Sequence, residues 1–230
     1  MQAQQTQTVI PSAIKGRETN LPIQSADITR QAIGMLSRKN KRKYRTRNVR
    51  SVMLLSTSTR DFDFFGNMED ASVKKYANYP TSGLISTPTG MLIKVTAEIF
   101  DADLKPVNYA GGTTPFAKYY EVQRLINSFD MSYHKDNAKR KDFSLSEAHK
   151  SLFRLIEPGQ IGTPTNVALP AAVLDTTEGK EQGINLLSEL SKTSSTVIKC
   201  SLPTGSPNIS EDLASHLLVV TALIAEEDIG

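Results

Sequence analysis

One cysteine, no tryptophan and three histidines set the first limits on this chain of 230 residues. Cys200 alone cannot form an internal disulfide, so no oxidised framework is implied. Within TVIKCSL it reads as a small buried residue, because a nucleophilic thiol needs a base and no histidine lies nearby in sequence. His134, His149 and His216 are too far apart for metal-ligand spacing, and no Ser or Cys can be placed beside them as a triad. No apolar run approaches the roughly 20 residues that span a bilayer. MQAQQTQTVIPSAIKG lacks the charged-then-apolar pattern of a secretion signal. The expectation is a soluble, intracellular protein with no cofactor and no enzymatic activity.

What the chain does have is an uneven charge. Up to Arg50 it carries eleven basic residues against two acids; from Ser51 onward it carries sixteen against twenty-two. The net +3 therefore hides a cationic segment joined to an acidic body. The densest part is RKNKRKYRTRNVR, residues 38–50, where Arg38, Lys39, Lys41, Arg42, Lys43, Arg45, Arg47 and Arg50 surround the single aromatic Tyr44. Such a run neutralises phosphates and releases their counterions, and Tyr44 offers a ring for a base to stack on. The same charge suits an anionic membrane surface, a nuclear localisation signal or a solvated linker. A smaller basic group, Lys139, Arg140 and Lys141, lies in the polar stretch MSYHKDNAKRK.

Hydrophobic residues make up 39% of the chain, enough for one core if the N-terminal part stays outside it. Residues 1–25, rich in Gln, Thr, Ser and Pro, bury too little to offset their ordering entropy. Ser25 or Asp27 caps a helix with Ile28, Ala32, Met35 and Leu36 on one face, running into cations that suit a helix C-terminus. SVMLLST at 51–57 has strand length, RDFDFFGNMED with Phe62, Phe64 and Phe65 reads as a strand end and a turn at Gly66-Asn67, and a weak helix around Glu69 to Tyr76 and a loop from Asn78 to Gly90 follow. Met91 to Phe100 is the clearest strand: Met91, Ile93, Val95, Ala97 and Ile99 point one way, Lys94, Thr96 and Glu98 the other.

Thr113 or Thr114 caps a helix whose stripe is Phe116, Tyr119, Val122, Ile126 and Phe129. A second helix starts at the Ser144/Glu147 capping box, carries Leu145, Ala148, Leu152, Leu155 and Ile156, and ends at Pro158-Gly159. VALPAAVL reads as an edge strand, Gly183–Lys192 as a short helix, and Ser195–Leu202 and Leu217–Ala225 as strands. The fold class is α+β: a flexible basic arm over 1–48, then one mixed domain over 49–230 with antiparallel strands and several helices.

The remaining candidates have simpler readings. Glu98, Asp101 and Asp103, like Asp61 and Asp63, match a polar turn better than a metal site. Gly111-Gly112-Thr113-Thr114 offers N–H groups to an anion, but no Walker lysine follows it.

A flexible polar terminus, a dense cationic arm and an acidic body resemble, in overall plan, viral structural proteins of the coat or matrix type. That resemblance implies a coat subunit of a virion, self-assembling and binding nucleic acid, RNA or single-stranded in preference, inside a host cell. Two alternatives stay open: a matrix-type protein on anionic membrane, which here lacks a PPxY motif, and a small enzyme or nucleic-acid-processing factor with a basic targeting arm.

Overall fold

The computed structural model describes residues 25–66, 72–78, 89–108, 112–114, 116–149, 153–154, 173–174 and 183–228. Its helices are α1 (Ser25–Asn40), α2 (Ala117–Ser128) and α3 (Leu145–Ala148). Its strands are β1 (Tyr44–Leu54), β2 (Asp61–Phe64), β3 (Thr89–Phe100), β4 (Asp130–Lys135), β5 (Ala138–Ser144), β6 (Phe153–Arg154), β7 (Val173–Leu174), β8 (Ile184–Ser191), β9 (Thr196–Ser201) and β10 (Leu217–Glu227). Two four-stranded antiparallel sheets, β1-β10-β3-β8 and β2-β9-β4-β5, carry the fold, and β6 pairs with β7 in a two-stranded sheet. With the helices this is an α+β arrangement.

The pairing has a simple logic. β4 and β5 form a tight hairpin, β3 pairs with β8, β2 with β9 and β1 with β10. The eight long strands are therefore one nested hairpin whose successive ladders fall alternately into the two sheets. In chain order the sheets read 1-8-3-6 and 2-7-4-5, the strand order of a double-sheet jelly roll. One core joins them: Val49, Leu92, Val95, Val220, Ala222 and Ile224 from one sheet meet Phe62, Phe64, Met131, Tyr133, Ile198 and Cys200 from the other. Val122, Leu125 and Phe129, from α2 and its end, close the same core.

The β1-β10-β3 sheet is covered on its outer side as well. Ile28, Ala32 and Leu36 of α1 pack on Tyr44, Met91, Ile93 and Ala225, while Met35 turns outward at 58% exposure. The first of two departures from the sequence reading follows from this. The helix expected from Ser25 is α1, while residues 44–48, expected in the flexible arm, open the edge strand β1 and pair with β10, so the expected boundary at 49 falls inside β1. The rest of that arm lies outside the described residues. The second departure is a bulge in β3: its register to both β10 and β8 shifts between Leu92 and Lys94. One extra residue reverses the alternation, so Met91 and Ile93 face α1 while Val95 and Ala97 face the inner core.

Three local readings also change. MSYHKDNAKRK is a hairpin, turned at Asp136-Asn137 with φ of 53° and 62°, the pair of positive φ values that a primed turn needs. Gly183–Lys192 is strand rather than helix: Ile184, Leu186, Ser188 and Leu190 alternate inward, and the outward Leu187 imitates helical spacing. The capping box at Ser144 and Glu147 is present, but α3 ends at Ala148. The stretch that was to continue it, like the loop before Thr89 and the edge strand VALPAAVL, lies mostly outside the described residues.

Candidate functional site

Antiparallel register fixes where the basic run goes. Tyr44, at the start of β1, pairs with Glu227 at the end of β10; Glu226 pairs with Gly90 at the start of β3; Thr89 pairs with Ser191 at the end of β8. The cluster therefore sits at one end of the sandwich, opposite the acids that close β10. Arg42 donates to both Glu227 carboxylate oxygens at 2.6 Å. Arg45 and Arg47 share Glu226 at 3.1 and 3.0 Å, and Arg45 also reaches Asp228 at 4.0 Å. Glu226 and Glu227 are only 13% and 16% exposed, so these arginines are held on well-anchored carboxylates.

The nominated residues separate accordingly. Tyr44 is 9% exposed within the α1 cluster, and its hydroxyl accepts from Asn40 at 2.7 Å and donates to Thr89 at 3.1 Å. Its ring is a core element and is not presented to a base. Arg50 lies halfway along β1 on the outer face, lining a separate cavity with Lys94. Arg38, Lys41 and Lys43 are exposed and have no ion-pair partner among the described residues. Seven cations between residues 38 and 47 face four contacting acids, Glu189, Glu226, Glu227 and Asp228, so this end stays positive.

The second basic group arrives at the same end. The β4–β5 turn locks to the β8–β9 turn, where the Ser195 N–H donates to the Asp136 carboxylate at 2.9 Å. Lys39 Nζ then meets the Glu189 carboxylate at 2.7 Å, while Lys135 Nζ donates to the Glu189 carbonyl at 2.6 Å. The Lys39 ammonium holds the Glu189 carboxyl below its ordinary pKa. Lys139 pairs with Asp142 at 2.7 Å, and Lys141 donates to the Asn185 carbonyl at 3.2 Å. Arg140 is exposed. Two basic clusters far apart in sequence thus share one end of the sandwich, with Glu189 between them. Sequence reasoning missed Glu226, Glu227, Glu189 and Lys135. The signal was there: a cationic strand early and an EED at the end of the last strand are charge-complementary partners for an antiparallel pair.

The other candidates are structural. The Thr113 N–H and hydroxyl both donate to Asp212, at 2.6 and 3.1 Å, so the glycine-threonine loop already holds a carboxylate of its own chain. Helix α2 starts at Ala117 behind Phe116, with no side-chain cap from Thr113 or Thr114. Asp101 accepts from the Asp103 N–H at 2.7 Å, a turn closed on itself. Asp61 and Asp63 are the solvent-facing residues of β2 rather than a turn. His134 contacts Ser132 at 3.0 Å; His149 and His216 are both buried. Cys200 is buried, and desolvation pushes its thiol far up, as a core residue requires. Among the described residues no three His, Cys, Asp or Glu side chains group as a metal site, and no helix is long and apolar enough to cross a membrane.

Neither protein-family models nor curated protein sequences give a match to this chain.

Proposed function

We propose that the chain is a viral coat subunit that assembles with copies of itself and carries nucleic acid on the cationic end of its sandwich. The observation that carries this reading is the combination of a nested eight-strand hairpin with a cluster of seven cations, Arg38 to Arg47, at one end of the sandwich. Double-sheet jelly rolls serve as viral capsid domains, and also as lectin and cupin domains; the assembly half of the proposal rests on that analogy of fold. The nucleic-acid half rests on electrostatics. A positive end where Arg38, Lys41 and Lys43 have no ion pair among the described residues, beside ion-paired Lys39, Arg42, Arg45 and Arg47, suits a polyanion, since each phosphate neutralised releases condensed counterions. This supports binding without base readout, consistent with a packaging role. The assembly domain on this reading begins with α1 and includes the basic run of residues 38–50.

The test is the salt dependence of single-stranded nucleic-acid binding. A log–log slope of about −0.7 per phosphate contact is expected for a single strand. Replacing Lys41 and Lys43 by Gln should flatten the slope by about 1.4, and replacing Arg45 and Arg47 by Gln should flatten it less, because Glu226 and Asp228 already offset their charge. An unchanged slope in the Lys41/Lys43 variant removes the cationic end from the reading. Binding to anionic vesicles in place of nucleic acid would turn the assignment toward a matrix-type protein.

A further inference from the structure

Three large hydrophobic side chains stand exposed among the described residues, and two of them, Met35 and Leu187, border strand β8 at the charged end. Met35 of α1 lines one groove with Met91, Glu189, Arg38 and Lys39. Leu187 of β8 itself, 43% exposed, lines a second with Tyr133, Lys135 and Arg140. Glu189 joins the two: its carboxylate holds Lys39 and its carbonyl holds Lys135.

Leu187 is held there under strain. β8 is an edge strand, and between the Leu92–Ser188 and Lys94–Asn185 pairs one residue of β3 faces two of β8. Leu187 takes up the extra residue in the left-handed region, with φ of 47°, which suits glycine or asparagine and strains a leucine. A bulge of this kind re-aims a side chain. Its neighbour Leu186 packs on the core, while Leu187 stays in solvent.

The cations beside these two side chains remain charged toward solvent. Lys135 donates to a neutral carbonyl, which leaves its ammonium charge in place, and Arg38 and Arg140 have no ion pair among the described residues. Phosphate therefore suits both grooves, and the apolar atoms decide what accompanies it. Nucleic-acid bases are held by stacking on aromatic rings. The rings at this end, Tyr44 and Tyr133, are 9% and 2% exposed, and both hydroxyls are engaged within the fold. Met35 and Leu187 are aliphatic, and a bilayer offers acyl chains directly beneath its phosphates.

We infer that the β8 side of the charged end docks on an anionic bilayer. Met35 and Leu187 enter the boundary between headgroups and acyl chains, while Arg38, Lys39, Lys135 and Arg140 meet lipid phosphates. Apolar insertion and attraction to anionic lipid add in such a contact. Docking of this kind needs neither self-assembly nor nucleic acid, so it stands or falls apart from the coat reading.

Co-sedimentation of the full chain with vesicles tests it, comparing mixed phosphatidylserine and phosphatidylcholine with phosphatidylcholine alone. Single-stranded nucleic-acid binding is measured on the same proteins. The mixed vesicles should bind at least tenfold more tightly. Leu187→Asn should weaken that binding about tenfold while keeping or raising the melting temperature, because asparagine accepts the left-handed backbone. Met35→Gln should weaken it to a similar degree, and Arg140→Gln about fivefold. Both apolar variants should bind single-stranded nucleic acid as the parent does. Absence of vesicle binding, equal binding to the two compositions, or binding that survives either apolar variant overturns the docking site, and none of these touches the salt test of the coat reading. Loss of nucleic-acid binding in the apolar variants would assign the grooves to nucleic acid and overturn it too.

Discussion

Lys39 and Lys135, drawn from two separate basic clusters, meet on Glu189: one takes its carboxylate at 2.7 Å, the other its carbonyl at 2.6 Å. The Glu189 side chain is 58% exposed, so the pair is screened and adds about 1 kcal/mol or less to stability. Its effect is on the surface field. Glu189→Gln should leave the melting temperature within a few degrees, strengthen single-stranded nucleic-acid binding several-fold at low salt, and steepen the salt slope. Fluorescence anisotropy at two salt concentrations measures both; weaker binding in the variant would contradict a phosphate path across this junction.

Glu226 and Glu227 have a different role, since both are largely buried against β1. Glu226→Gln leaves Arg45 and Arg47 without their shared carboxylate and should cost about 1 kcal/mol, read by chemical denaturation. It should also raise nucleic-acid affinity by releasing two guanidinium groups. A variant that is destabilised but binds no better would mean that these arginines serve the fold alone.

Leu36 is 3% exposed beneath α1. Leu36→Ala should cost about 2–4 kcal/mol. Removing residues 1–48 deletes all of α1 and the start of β1 and uncovers Met91, Ile93 and Ala225; the remainder should aggregate or lose cooperative unfolding. A soluble, cooperatively folded 49–230 fragment would show that α1 is a dispensable cover.

His216 is buried at the start of β10, and desolvation, with Lys118 nearby, holds its pKa below the ordinary 6.5. The fold therefore favours the neutral ring. Stability from this group is fully present above about pH 6.5 and is lost as pH falls from there through the lowered folded value. His216→Gln should flatten the stability profile between pH 7 and 5; an unchanged profile would assign the acid sensitivity to other groups.

Several strands were legible: most of β3 follows from apolar alternation, Ser195–Leu202 contains β9, and β10 follows from a continuous β-branched apolar run, which suits a strand covered on both faces. What stayed hidden was non-local. Lys41 to Arg50 looked like a tail because its charge dominates a local window, and only pairing with β10 shows that Val49 is core while Arg42, Arg45 and Arg47 have acids waiting. The β3 bulge cannot be read from β3 itself, since Met91 and Ile93 fit the alternation and differ only in what packs on them. Leu187 on the wrong side of β8 made a strand look helical. Of the candidate site, the cations were visible and their convergence with the second cluster was not, because Asp136-Asn137 was read as loop rather than as the turn that brings it there.

The most direct measurement is size-exclusion chromatography with light scattering on the whole protein, recording the 260/280 nm ratio before and after a high-salt wash. With no tryptophan and seven tyrosines the chain absorbs weakly at 280 nm, so bound nucleic acid stands out. The account predicts a multi-subunit particle whose nucleic-acid absorbance is stripped by salt. A monomer with a protein-only spectrum, unchanged when single-stranded nucleic acid is added at low salt, would contradict it.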